Sequence, residues 1–222
     1  MLTVHHLNNS RSQRVLWLLE ELDVPYEIRK YQRDPKTMLA PSELRAVHPL
    51  GKSPLIEDGG QVIAESGAIV DYLVDRYDTG RLAPPRGTPE RLRFNYWLHY
   101  AEGSAMPPLL LKLVAMRIAT APMSFFARPI AQRIAGKLQS AFVDPQLALH
   151  LDYVNNELAQ TGWFVGDEFS AADIQMSFPM EVAMARSGLG GRLPHVAAFV
   201  SRVQQRPAYR RALERGGPYA LS

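Results

Sequence analysis

Three polar clusters and one missing residue type define the chemistry open to this chain. Asn8-Asn9-Ser10-Arg11-Ser12 sets two serines and two carboxamides in a turn just ahead of an apolar helical pattern. Lys52-Ser53-Pro54 stands at the mouth of a short apolar run. Glu65-Ser66 closes a second run, where another helical pattern begins. A helix start leaves several N–H groups without partners, and its positive end favours anions. This spot therefore suits a ligand that carries a carboxylate. The chain has no cysteine. That excludes disulfides, thiolate metal sites and a nucleophilic cysteine of its own. Thiol chemistry here requires a thiol brought by the substrate. No Gly-x-Ser-x-Gly elbow surrounds Ser10, so acyl transfer is unsupported. The histidines show no metal-ligand spacing, and no metal is expected.

The elements that must position these residues can be read in order. Leu2–Leu7 reads as a strand, and residues 13–22 carry Val15, Leu16, Leu18, Leu19 and Leu22 at helical spacing. Tyr26 to Gln32 alternates as a strand. Two strands joined through a helix are expected to be parallel, with a right-handed crossover. A short helix is expected over 42–47. Leu55-Ile56 and Gln61 to Ala64 flank Asp58-Gly59-Gly60, a hairpin signal. Residues 66–77 form an amphipathic helical stripe. Pro54 cannot donate a backbone hydrogen bond, so it belongs at a strand entrance or in a bend.

Gly80, Pro84, Pro85 and Gly87 mark residues 79–88 as a linker. Everything beyond reads as helical. Pro107-Pro108 is expected to kink or divide one long pattern, and Pro129 and Pro145 to break the next. Phe169-Ser170-Ala171-Ala172-Asp173-Ile174 reads as a capping box with a hydrophobic staple. Two shorter helices follow, near 194–205 and 207–215. The expected organisation is an α/β domain over 1–78, a linker over 79–88 and an all-α domain over 89–222.

With 222 residues, 46% hydrophobic and 21% charged, the chain is long enough to bury a core and ordinary for a globular protein. The net charge of +3 is small. Arg206, Arg210, Arg211 and Arg215 read as a solvated helix face, with no interleaved aromatics to suggest nucleic acid. The run from Leu109 to Met116 is too short and interrupted to span a bilayer. The opening residues lack a basic segment followed by an apolar one, so a cytoplasmic protein is expected.

The β-α-β, β-β-α order with a proline before its third strand is similar to the thioredoxin-like arrangement. Joined to a helical domain, it resembles the cytosolic glutathione S-transferases. Four motifs carry the resemblance, which covers essentially the whole chain. His48-Pro49-Leu50-Gly51-Lys52-Ser53-Pro54-Leu55 looks like the family's Asn-Pro-x-Gly-x-x-Pro segment, with His48 where many members have Asn. Glu65-Ser66 matches its Glu/Gln-Ser pair, and 169–174 its capping box. Leu7 to Leu22 looks most like the bacterial and fungal serine-type branch, and the missing cysteine argues against the omega-type and beta-type branches.

The resemblance implies glutathione as co-substrate. Pro54 would be a cis-proline that exposes the Ser53 backbone to the cysteinyl part of the tripeptide. Glu65 and Ser66 would hold its γ-glutamyl end, Lys52 its glycyl carboxylate, and Arg11 would help hold the anionic ligand. Arg14 reads as a structural ion-pair partner. Ser10 is the candidate to activate the thiol: a hydroxyl hydrogen bond to sulfur favours the thiolate. Asn9 is the main competitor for that role, and Ser12 a weaker one. The expected reaction is conjugation of glutathione to a small hydrophobic electrophile. The alternatives are a glutathione-dependent peroxidase or reductase at the same site, or a non-catalytic relative that keeps the fold. The electrophile's pocket is expected between the domains, lined by residues such as Tyr100, Met106, Leu110, Phe125 or Trp163. A homodimer is also implied.

Overall fold

The computed structural model describes residues 1–188, 190–217 and 219. Strand β1 (Leu2–Leu7) leads through helix α1 (Ser12–Glu21) to β2 (Tyr26–Tyr31), then a short α2 (Glu43–Val47), the hairpin β3 (Leu55–Asp58) and β4 (Gln61–Ala64), and α3 (Ser66–Tyr77). The sheet order is β2-β1-β3-β4, with β1 and β2 parallel and the other pairs antiparallel. This is the thioredoxin-like arrangement. The hairpin turn uses Gly59 and Gly60 at φ of 58° and 83°. Two successive positive φ values match the strands' twist and select glycine.

The helical half runs from α4 (Pro89–Tyr100) through α5 (Met106–Thr120), α6 (Ala127–Leu138), α7 (Asp144–Thr161), α8 (Ala171–Arg186) and α9 (Pro194–Gln205) to α10 (Pro207–Gly216). Two wide π turns, Ala101–Ala105 and Gln139–Val143, interrupt the long patterns. Each ends immediately before a helix with proline in its first turn, at Pro107-Pro108 and at Pro145. Proline lacks an N–H, and the wider turn takes up the carbonyls left without a donor. Pro129 differs from expectation. It lies inside the first turn of α6, where its N–H would lack a partner anyway, and breaks nothing.

One apolar core unites the two halves. Val15, Leu16, Leu18 and Leu19 of α1 are buried together with Phe94 and Trp97 of α4 and Ile174 and Met176 of α8. The capping box forms at the start of α8. The C-terminal arginines do more than face solvent. Arg210, Arg211 and Arg215 are exposed as expected, but Arg211 and Arg215 also pair with Glu20, and Arg206 with Glu21, which fastens α10 to α1. Among the described residues no helix is long and apolar enough to cross a membrane, and none group as metal ligands.

Candidate functional site

The Ser53–Pro54 peptide is cis. Its strand entrance, the end of β4 and the start of α3 meet at one cavity of about 220 Å³. Lys52, Ser53, Pro54, Glu65, Ser66 and Arg11 all line it, with His48, Leu50 and Glu102. Six of the sequence-predicted residues are thus brought together. Ser10 is close by but set back. Its hydroxyl is buried and lies 3.4 Å from that of Ser53. Asn9 occupies the turn beside it at φ 48°, and its carbonyl accepts from Arg33.

Glu65 has φ 69° and ψ 121°, a region that disfavours a residue with a Cβ. Residues held there cost on the order of 1–3 kcal/mol and cluster at ligand sites. The bend lets β4 stop and α3 begin within one residue. It leaves Ser66, and the unpaired N–H groups of the first turn of α3, at the cavity.

Glu102 is the residue that sequence reading missed. It sits in the first π turn and accepts from Arg11 Nε at 2.9 Å and from Arg14 Nη2 at 2.5 Å. Burial pushes its carboxyl up, but the two guanidinium groups more than offset this and hold it below the ordinary range. Arg14 is fully enclosed. It also donates to Ser66 Oγ at 3.1 Å and to the Gln175 carbonyl on α8. Its expected ion-pair role is met, and the partner comes from the other half of the fold. Phe178 packs beneath both guanidinium groups, at 5.0 Å from Arg11 and 5.3 Å from Arg14. The cavity thus offers hydroxyls and helix N–H groups for a carboxylate, and the Glu65 and Glu102 carboxylates for an ammonium.

The expected pocket lining does not gather here. Trp163 packs against Phe169 and Phe199. Tyr100 packs on Trp97 and bonds to His150 at 2.7 Å. Met106 is buried, Leu110 is exposed and Phe125 is 84% exposed. Helical spacing marks a face, and core packing claimed most of these side chains.

Behind Ser10 lies a buried polar chain. Ser12 Oγ is 2.7 Å from Ser10 Oγ and 2.9 Å from His6 Nδ1. Burial lowers His6 to about 4, the charge of Lys30 adds to this, and the nearby Gly216 backbone opposes it. The unfolded value is 6.5, so between the two the unfolded chain binds the extra proton. Stability from a neutral His6 is complete above pH 6.5 and lost as pH falls towards 4, by about 3 kcal/mol in all. Calorimetry should show the unfolding midpoint dropping across that window, and dropping less in His6→Asn. Equal drops in both proteins would remove His6 as the cause.

A thioredoxin-like domain holding a cis-proline cavity against a helical domain defines a two-domain, small-ligand protein. Family models agree on which one. Residues 10–76 match the glutathione S-transferase N-terminal domain, and residues 118–207 match the C-terminal domain. Glutathione S-transferase 3 of Schizosaccharomyces pombe is 35% identical over 215 residues, covering 97% of this chain and 88% of its own. Glutathione S-transferase 1 of Saccharomyces cerevisiae is 35% identical over 84% of this chain and 82% of its own. A glutathione S-transferase structure from Actinobacillus pleuropneumoniae superposes with a TM-score of 0.81 at 32% identity, over 100% of this chain and 95% of that one. The chain belongs to the glutathione S-transferase family.

Proposed function

We propose that this protein conjugates the thiol of glutathione to a small hydrophobic electrophile. The observation that carries the reading is the convergence of Lys52, Ser53, Pro54, Glu65 and Ser66 on one cavity, with the Ser10 hydroxyl just behind it. Glutathione is a doubly carboxylated tripeptide with one ammonium and one thiol. Ser66 and the first turn of α3 receive the γ-glutamyl carboxylate, and Glu65 and Glu102 its ammonium. Lys52 faces the glycyl carboxylate. Arg11 adds a positive charge at the cavity wall, although Glu102 engages its Nε. The thiol then lies at the Ser53–Pro54 corner, where Ser10 donates a hydrogen bond to its sulfur. A free thiol near pKa 8.5 is mostly protonated at neutral pH, so catalysis is thiolate stabilisation plus positioning.

Calorimetry should register glutathione binding, and an aryl halide should be conjugated. No binding at millimolar ligand would sink the reading in favour of a non-catalytic relative. Turnover of cumene hydroperoxide without conjugation would replace it with a peroxidase. Ser66→Ala should weaken glutathione binding by about tenfold, since it removes one hydrogen bond to a charged group. Unchanged affinity would take Ser66 out of the site. A homodimer in the cytoplasm belongs to the same proposal, and Leu92 and Tyr96, exposed on α4, supply apolar surface for a second copy.

A further inference from the structure

Helix α6 is folded with its large apolar residues on the outside. Of its 12 residues only Ala135 is buried. The helix packs chiefly against α5, where Ala115 is buried in turn. Phe126 is 81% exposed, and Ile130 and Ile134 are 62% exposed each. At helical pitch these three positions, four apart, form one stripe that faces away from Ala135. Arg133 and Lys137 lie along the same stripe and are exposed. In front of the helix the Phe125 and Phe126 rings pack edge to face at 5.3 Å and stand clear of the fold. An amphipathic helix normally turns its apolar stripe to the core. Single exposed apolar side chains are ordinary, but a contiguous stripe marks a docking surface.

Charge decides what docks there. Residues 103–143 contain Lys112, Arg117, Arg128, Arg133 and Lys137, and no aspartate or glutamate. Lys112 pairs with Asp144. The other four cations are exposed and form no salt bridge among the described residues. The whole chain carries only +3, so its positive charge is concentrated on this hairpin. A second copy docked about a twofold axis would set the patch against itself, cation on cation. A bilayer with anionic headgroups presents the opposite charge, and its acyl boundary takes up protruding apolar side chains of any shape. We propose that the α5–α6 hairpin docks on an anionic membrane surface. Phe125, Phe126, Ile130 and Ile134 enter the boundary between headgroups and acyl chains, and Arg133 and Lys137 meet the lipid phosphates. The 12-residue helix lies along the surface and is too short to span it. The docking does not depend on glutathione.

The test is co-sedimentation of the full chain with vesicles of phosphatidylcholine, alone or with about one third phosphatidylserine. Binding is expected to the anionic vesicles only, weakening about tenfold between about 0.1 M and about 1 M salt. The triple variant Phe126→Gln, Ile130→Gln, Ile134→Gln and the double variant Arg133→Glu, Lys137→Glu should each lower the partition coefficient by more than about tenfold. All five positions are exposed, so an unchanged thermal midpoint should report an intact fold. Because the chain has no cysteine, Phe125→Cys can carry a single environment-sensitive fluorophore. Its emission should shift to the blue on anionic vesicles, while the same label at Leu39→Cys, on the exposed loop before α2, should not shift. The proposal is overturned if the parent ignores anionic vesicles, binds neutral ones equally, or keeps its binding in both variants. Equal shifts at the two labels would reduce the binding to unspecific adsorption and overturn it as well. If the triple variant turns a dimer into a monomer without vesicles, the stripe is an interface between copies, and the proposal falls.

Discussion

Ser10→Ala should cut kcat/KM for an aryl halide by roughly 10- to 30-fold near neutral pH, while the Kd for glutathione changes by less than about twofold. The split follows from where the hydroxyl sits. Ser10 lies behind the cavity wall, within reach of Ser53, and touches none of the groups that hold the carboxylates. Removing it leaves those contacts intact and takes away one charge-assisted hydrogen bond to the thiolate. Such a bond is worth about 1.4–2.7 kcal/mol, or about 1–2 in thiol pKa. The pH–rate profile should move upward by the same amount, so the deficit should vanish at high pH. A deficit that persists across all pH values would point to misplacement of the ligand. Intact turnover would move the role to Asn9, whose carboxamide stands in the adjacent turn.

The largest effect on stability is expected at Asp173. This carboxylate is fully buried at the start of α8. It accepts from the Phe164 N–H at 2.9 Å, the Ser170 N–H at 2.8 Å and the Ser170 hydroxyl at 2.9 Å. Burial raises its pKa to about 6, and these three donors keep it from rising further. Asp173→Ala would leave three donors buried without a partner, each costing about 1–3 kcal/mol, and a loss of about 4 kcal/mol overall is expected in urea unfolding. Asp173→Asn should recover only part of this, because its NH₂ group faces donors. A loss below about 1 kcal/mol would mean that water or a rearranged loop serves those donors. Ser170 and Phe164 are fixed by this one carboxylate, so it secures both the start of α8 and the loop that packs Phe164 onto Trp97.

How much of this could be read from the sequence depended on how far apart the interacting residues lie. Pro54, Asp58-Gly59-Gly60, Glu65-Ser66 and the Ser170–Asp173 box are local signals, since each acts on backbone within a few residues. They gave the strands, the start of α3 and the wall of the cavity. Glu102 was not legible. Its partners Arg11 and Arg14 lie some ninety residues away, and a lone Glu on a helical pattern reads as solvated surface. The π turns are geometric responses to proline and have no composition of their own. Tyr100 and Trp163 show the opposite failure, where the residue type suits a pocket but aromatic neighbours draw the side chain into the core. The His6–Ser12–Ser10 chain lies between these cases. The two serines lie two positions apart at the start of α1, but the histidine's alternation on β1 does not say which partner it meets.

The contact between His6 and Gly216 joins residues 210 positions apart. Its consequence appears during synthesis. The cavity walls and the Ser10 turn can emerge from the ribosome and begin to fold while α10 is still inside it. Until Gly216 is free, His6 lacks this neighbour, and the first strand is uncovered on that side. The nascent chain can therefore acquire the walls of its ligand site before α10 packs against α1 behind them.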